Sequence, residues 1–394
     1  MKDLPQGYMV GTAAAGFKKV GRDDLGVILS DRPATCAALF TKNKFKAAPV
    51  LICQETLALG GPVRCIMANS GLANACTGDE GIANCRETRA LMGEALHIYD
   101  EQILPLSTGV IGAQFAMQAW RAAMPQVQAS MGSKGAEDFV RAFMTTDAFP
   151  KFLSQEVQLS GGTVRLTGMA KGAGMICPNM ATMLAVVLTD AEVEATAWQD
   201  MFQRAVAQTF NRVSVDGDTS TNDTIVGLAN GAAGVAARAQ SDVILLQQAL
   251  TSVLEKLSYM LVQDGEGATK VMHISVLGAK NDKDAENVAR TVGHSQLVKT
   301  AMYGRDANWG RIIAAVGRSN AEFKADDVRV SLCGVELFAH GQPLAGNFDE
   351  QLQKPLEQRD IYVEIVLGQG EGSYTLRASD LSHDYVSLNA DYRS

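Results

Sequence analysis

A chain of 394 residues that is 47% hydrophobic and 20% charged can fill sizeable cores in two or three domains. Its net charge of -8 offers no attraction to phosphate backbones or anionic lipid, so neither nucleic acid nor a membrane is expected as a partner. No run approaches the ~20 apolar residues that span a bilayer, and Met1-Lys2-Asp3-Leu4-Pro5 lacks the apolar core of a signal peptide, so a cytoplasmic location is expected.

In chain order, residues 1–70 alternate short β-like runs, 25–29 and 49–53 among them, with Gly- and Asp-rich turns, and read as sheet. Residues 80–97 are helical, 104–112 form a strand entering a glycine-bounded turn, and a second helical stretch begins at Ala116. The apolar run 183–188, bounded by Pro178 and by Thr189-Asp190, reads as a buried strand. Thr189 and Glu192 suggest a capping box for a helix that carries Trp198, Phe202, Ala205 and Thr209 on one face and ends at Asn211. Val243, Leu246, Leu250, Val253, Leu257 and Met260 step by threes and fours along another helix, from Ser241 to Asp264-Gly265. Beyond Lys280 a helical pattern runs through Ala301, followed by hairpin-like strands at 328–338, 361–367 and 374–378, which places a subdomain boundary near 280. The expected class is α/β (α+β): a layered sandwich of sheets covered by helices, with a smaller C-terminal α/β subdomain.

Seven cysteines (36, 53, 65, 76, 85, 177 and 333) form no C-x-x-C pair and read as reduced, mostly buried thiols. Nothing in the sequence beside Cys177, neither a histidine nor a helix N-terminus, would lower its pKa. The five histidines are scattered without H-E-x-x-H or G-x-S-x-G, so neither a metal nor a histidine triad is expected, and no cofactor.

The chemistry is concentrated in a few polar runs. A threonine hydroxyl is a poor nucleophile until a base lies within reach, and the nearest base to Thr182 is its own α-amino group, free only if the chain is cut after Ala181. The plain alternative is a β-branched residue entering a strand. Ser107-Thr108-Gly109 is a tight turn where N–H groups and a hydroxyl can converge on one point, or simply a turn. Lys171-Gly172-Ala173-Gly174 offers a cation and close backbone approach but fits no phosphate loop. Residues 215–224 pack eight polar side chains around one glycine, as a hydrogen-bonded turn network or as support for a substrate, without the spacing of a calcium loop. Glu266 stands between two glycines, facing a substrate ammonium or water, and the polar end 389–394 alone reads as a frayed tail.

Together, Gly21-Arg22-Asp23-Asp24-Leu25, Phe40-Thr41-Lys42-Asn43, Ala181-Thr182-Met183-Leu184, His383-Asp384-Tyr385 and Asn389-Ala390-Asp391-Tyr392-Arg393 resemble the glutamate N-acetyltransferase family, also called ornithine acetyltransferase, of arginine biosynthesis. The likeness covers nearly the whole chain. It implies self-cleavage between Ala181 and Thr182 into an alpha chain, 1–181, and a beta chain, 182–394, assembled as a heterotetramer of two of each. It further implies Thr182 as nucleophile, its freed amine as base, Thr108 and Gly109 as the oxyanion hole, and Thr145, Lys171, Thr182, Glu266, Asn389 and Ser394 as substrate-binding residues. Ala148 stands where the family commonly has Thr, and Ser394 replaces a common Thr while keeping the hydroxyl. The implied reaction is ping-pong: acetyl passes from N2-acetyl-L-ornithine to Thr182 and then to L-glutamate, giving ornithine and N-acetylglutamate, with acetyl-CoA as a second donor open to such an enzyme. A rival reading is an N-terminal-nucleophile aminopeptidase or amidase, in which water takes the acyl group; a third is a non-catalytic metabolite-binding relative that stays uncut.

Overall fold

The computed structural model describes residues 3–18, 21–177 and 183–391. The chain opens with β1 (Tyr8–Ala13), β2 (Leu25–Phe40), α1 (Ala48–Ala58), β3 (Val63–Asn69), α2 (Gly78–Leu96) and β4 (Ile103–Ser107). Helices α3 (Met117–Ser130) and α4 (Ala136–Phe143) lead into β5 (Lys151–Leu159), β6 (Gly162–Lys171) and β7 (Leu184–Thr189). Then come α5 (Ala195–Gln208), β8 (Val213–Ser214), β9 (Thr224–Ala229) and α6 (Gln240–Gln263). The first sheet has the order β4-β3-β2-β9-β7-β6-β5, with β1 paired to β2.

The long strand β2 is the pivot of this sheet. Leu25 to Leu29 pair with β1 on one side and β3 on the other, whereas Thr35 to Phe40 pair with β9. Because side chains alternate across a strand, β7 feeds two cores at once. Ala185 and Val187 pack with Trp198 and Phe202 of α5 and Leu250 and Leu257 of α6. Leu184, Val186 and Leu188 face the opposite way, into a middle core with Ile28, Ile66, Phe139 and Phe143. On the far side of β2 and β3, Val27, Leu29, Cys65 and Met67 pack against Met92 of α2 and Trp120, Met124 and Val127 of α3. The layers are therefore helices, half-sheet, half-sheet, helices, as the predicted sandwich requires.

The second sheet uses β10 (Val271–Ala279), then, after α7 (Asp282–Gly293), α8 (Gln296–Tyr303) and α9 (Trp309–Gly317), β11 (Arg329–Leu332), β12 (Val335–Ala339) and β13 (Gln342–Pro343). It is completed by α10 (Phe348–Glu357), β14 (Asp360–Val366) and β15 (Gly372–Ser379), and the last described element is α11 (His383–Asp391). Its order is β13-β12-β11-β14-β10-β15-β8. Val288, Val292, Met302 and Ile312 cover one face, against Ile274, Val276 and Leu376. No helix among the described residues is long and apolar enough to cross a membrane.

Several local expectations are corrected. Residues 49–53 are not a strand but part of α1, where Pro49 suits the first turn because no amide is needed there; an unbroken apolar run does not itself separate helix from strand. Helix α5 is capped not by Thr189 and Glu192 but by Glu194, whose carboxylate accepts from the Thr196 and Ala197 amides, and it ends at Gln208 before a 3-10 turn at Phe210–Arg212. Strands β14 and β15 are not hairpin partners: β10 lies between them, parallel to one and antiparallel to the other. The second sheet thus already contains residues before 280, in β10 and in β8.

Helix α5 can press onto β9 only because Gly227 has no side chain: a Cβ there would lie 2.0 Å from the Phe202 ring. Gly227→Ala should therefore cost about 1–3 kcal/mol, the usual range for overpacking a core. Thermal unfolding followed by circular dichroism checks this, and a variant that melts with the wild type would mean that ring and glycine are not in contact.

Candidate active site

Where the two sheets meet, the ends of β4, β6 and β7 and the loop before β9 enclose a cavity of about 240 Å³. Thr108, Gly109, Thr145, Lys171, Glu266 and Asn389 all line it. The fold thus brings six of the residues singled out in the sequence to one place, from positions as far apart as 108 and 389. Ala181, Thr182 and Ser394 lie outside the described residues; Met183 and Leu184, at the start of β7, form part of the wall.

Each wall is fixed by its own backbone geometry. Gly109, after β4, has φ +135 and passes so close to the preceding turn that a Cβ would sit 2.2 Å from the Gly71 carbonyl carbon, so no other residue fits. The turn is anchored by Asn222, whose Nδ2 donates to the carbonyls of Ala73 at 2.6 Å and Ser107 at 2.8 Å. Part of the 215–224 run is therefore a turn network, as its composition suggested. Asp216 extends that network, accepting from the amides of Met175 at 2.6 Å and Ile176 at 2.9 Å. It ties down the chain just ahead of residues 178–182.

Lys171 closes β6 and is buried, with 7% of its surface exposed. Its ammonium donates to Thr145 Oγ1 at 2.8 Å and to Thr108 Oγ1 at 3.2 Å. Burial pulls its pKa below the ordinary lysine value, a shift that Asp147 opposes and Lys151 reinforces. Burial likewise penalises the Asp147 carboxylate, but the Lys171 and Lys151 charges outweigh it and hold that group at about 2. On the opposite wall Glu266 Oε2 accepts from Asn389 Nδ2 at 2.9 Å, across the bare Cα of Gly174. Helix α11 also brings in Tyr385, whose hydroxyl is pushed up to about 12 by burial and by Asp216 and Glu266.

Tyr385, Asp216 and Asp147 were not picked as site residues from the sequence. The only signals available were their places in His383-Asp384-Tyr385, in the polar run and in Thr145-Thr146-Asp147. Among the described residues no group of His, Cys, Asp or Glu is arranged to hold a metal ion.

The sequence profile of the ArgJ family matches residues 9–394. The chain is 61% identical to the arginine biosynthesis bifunctional protein ArgJ of Nitratidesulfovibrio vulgaris over 394 residues, the whole of both chains. It is 43% identical to the protein of that name from Geobacter sulfurreducens over 391 residues, 99% of each. Among solved structures, the arginine biosynthesis bifunctional protein argJ of Bacillus halodurans matches at 36% identity and TM-score 0.49, covering 52% of this chain and 96% of that one. The ornithine acetyltransferase of Mycobacterium tuberculosis, complexed with ornithine, matches at 36% identity and TM-score 0.42, covering 45% and 94%. The sequence matches make the chain an acyltransferase enzyme. It belongs to the ArgJ family.

One expectation about a neighbouring thiol is overturned. Cys177 does have a histidine beside it: His294 Nε2 lies 3.5 Å from its sulfur and Arg290 Nη1 3.9 Å, because α7 folds back from more than a hundred residues away. Burial nevertheless raises the thiol pKa, against the pull of Arg290. His294 is itself lowered from 6.5 to about 4, first by burial and then by the Arg290 and Lys299 charges. In the unfolded chain it would take up a proton near 6.5, in the folded chain only near 4, so acid favours unfolding between those values. Stability should fall as pH drops from about 6.5 to about 4. His294→Gln should flatten that part of a denaturant-midpoint profile, and an unchanged slope would rule out a buried neutral imidazole.

Proposed function

We propose that the cavity transfers acetyl from N2-acetyl-L-ornithine to L-glutamate through an acetyl ester on Thr182. The observation that carries this reading is the convergence of Lys171, Thr108 and Thr145 on a wall that continues into Met183 and Leu184, directly after Thr182. The precursor first cuts itself. The Thr182 hydroxyl attacks the Ala181 carbonyl, the peptide C–N bond breaks as the amine takes a proton, and water hydrolyses the ester. The products are residues 1–181 and 182–394, with a free α-amine beside the hydroxyl that it will deprotonate.

In the transfer cycle the hydroxyl attacks the acetyl carbonyl of N-acetylornithine, and ornithine leaves as the amine. Glutamate's amine then attacks the acetyl ester and restores the hydroxyl. Because Thr108 Oγ1 accepts from Lys171, its own hydrogen remains for the developing oxyanion, with the Gly109 amide as second donor. Such donors contribute about 3–4 kcal/mol each to the transition state. Lys171 and Thr145 receive the α-carboxylate common to both substrates, Glu266 and Asn389 face a substrate amino group from the opposite wall, and the family resemblance adds Ser394 to the substrate-binding residues. No cofactor or metal takes part. The relatives' description as bifunctional supports acetyl-CoA as a second donor, and the family resemblance implies a heterotetramer of two alpha and two beta chains.

The competing reading is hydrolysis by an aminopeptidase or amidase, and product analysis separates the two. Wild type should run as two fragments on a denaturing gel and form acetylglutamate faster than acetate; Thr182→Ala should run as one 41.9 kDa band and form neither. Cleavage in the variant, or acetate as the main product of the wild type, overturns the assignment. Lys171→Met, which keeps the stem and removes the charge, should lower kcat/KM for N-acetylornithine by about tenfold or more in steady-state assays, as loss of a charged hydrogen bond does.

A further inference from the structure

Behind the cavity lies a group of buried charges whose arrangement exceeds what folding requires. Lys151, at the start of β5, is fully buried, and its ammonium sits 2.7 Å from Asp147 and 2.5 Å from Asp264. Taking three charges out of water is costly, and apolar side chains of similar volume commonly hold a fold as well or better. What apolar side chains could not do is accept hydrogen bonds. Asp147 Oδ1 also accepts from the Gly172 amide at 2.6 Å, and its Oδ2 accepts from the Thr145 amide at 3.0 Å. Asp264 accepts from the Ala148 amide at 3.1 Å. Gly172 directly follows Lys171, and Thr145 carries the hydroxyl on which the Lys171 ammonium rests at 2.8 Å. One carboxylate thereby clips two separate segments, the stretch after α4 and the end of β6, at the spacing that places ammonium against hydroxyl.

We propose that Asp147, paired with Lys151, is the positioning residue for carboxylate recognition: it holds Lys171 and Thr145 in register, so that the site prefers an α-amino acid over the same amine lacking its carboxylate. This rests on the reading that Lys171 and Thr145 receive the substrate α-carboxylate. Asn at position 147 keeps the shape but has one acceptor oxygen in place of two. Either Thr145 or Gly172 then loses its acceptor, and Lys151 loses a counter-charge.

The readout is the inhibition of N-acetylornithine turnover by ornithine and by putrescine, which is ornithine without its carboxylate. In wild type, ornithine should inhibit at the lower concentration. In Asp147→Asn that advantage should shrink by about tenfold or more, the scale of a charged hydrogen bond lost, while inhibition by putrescine stays within about twofold and KM for N-acetylornithine rises more than kcat falls. A folded Asp147→Asn that weakens both inhibitors equally, or neither, overturns the proposal, since a merely structural role would not change the ratio. A wild type with no preference for ornithine removes the Lys171 assignment itself, and the role of Asp147 falls with it. A second measurement needs no variant: single-residue hydrogen exchange in wild type should show the Thr145 and Gly172 amides exchanging as slowly as the β6 ladder. Rapid exchange at either one overturns the clip even if Asp147→Asn does not fold.

Discussion

Lys171 faces Leu184 across the last rung of the antiparallel ladder between β6 and β7, and the geometry of the site depends on that pairing. The connection 172–183 leaves and returns to the same rung, so the Lys171 cation and the start of the central strand are neighbours by backbone hydrogen bonding. Strand β7 is buried along its whole length and pairs on its other side with β9, with Leu184 opposite Thr224. Its position is fixed by two ladders and two cores. In the proposed processing, strands of the two products alternate across the first sheet: β4, β3 and β2 from the first, β9 and β7 from the second, β6 and β5 from the first again. Separating the halves would break the β2–β9 and β6–β7 ladders together, so a cut between 181 and 182 removes a covalent bond without removing a structural one.

The same architecture explains how a lysine can be buried at the site. Desolvation alone would favour its neutral form, and Asp147 and Glu266 act against that from opposite sides. The second sheet is docked by a similar device. Lys299 is buried, and its ammonium donates to the carbonyl of Val215 at 2.7 Å and to the hydroxyl and carbonyl of Ser379, joining α8, the Asp216 loop and β15. Burial pulls that lysine down to about 8, against the opposing charges of Asp380 and Asp216. The loop that sets one side of the cavity is thereby referenced to both sheets.

Much of this was legible in the sequence because it follows from period and punctuation. The helices ending near His97 and Gln263, the strand at 184–189 and the strands β14 and β15 appear as hydrophobic patterns with recognisable stops. What was not legible involved long-range partners or ambiguous local signals. The run 49–53 is apolar throughout, so only Pro49 hinted at a helix. Cys177 acquires His294 from an element far along the chain, and β10, to which the sequence reading assigns no element, is the strand that β14 and β15 flank. Of the residues that line the cavity, Thr108, Gly109, Lys171 and Glu266 stand in short polar motifs, whereas Thr145 and Asn389 came only from the family resemblance; Asp147 and Asp216, which were missed, give their carboxylates to backbone amides, a task that leaves no mark in composition.

An acyl-threonine enzyme becomes a transferase when the acceptor amine is held against the ester more effectively than water is. The cavity has the charge distribution for this. One wall carries Lys171 with two threonine hydroxyls, and the facing wall carries Glu266 with Asn389 and Tyr385 on α11. A zwitterion placed between them is oriented at both ends, so that once its ammonium has given up a proton the amine attacks in a near-unimolecular step. Water carries no charge for either wall to hold. The two walls come from different sheets, and α11 reaches the cavity only because Gly267, at φ +66, lets the Tyr385 amide approach where a Cβ would come within 2.4 Å. On the proposed reading, discrimination between acceptor and solvent is thus a property of the junction between the sheets rather than of the nucleophile, since a chain without α11 would lose Asn389 and Tyr385 and keep Glu266 alone on the wall that faces Lys171.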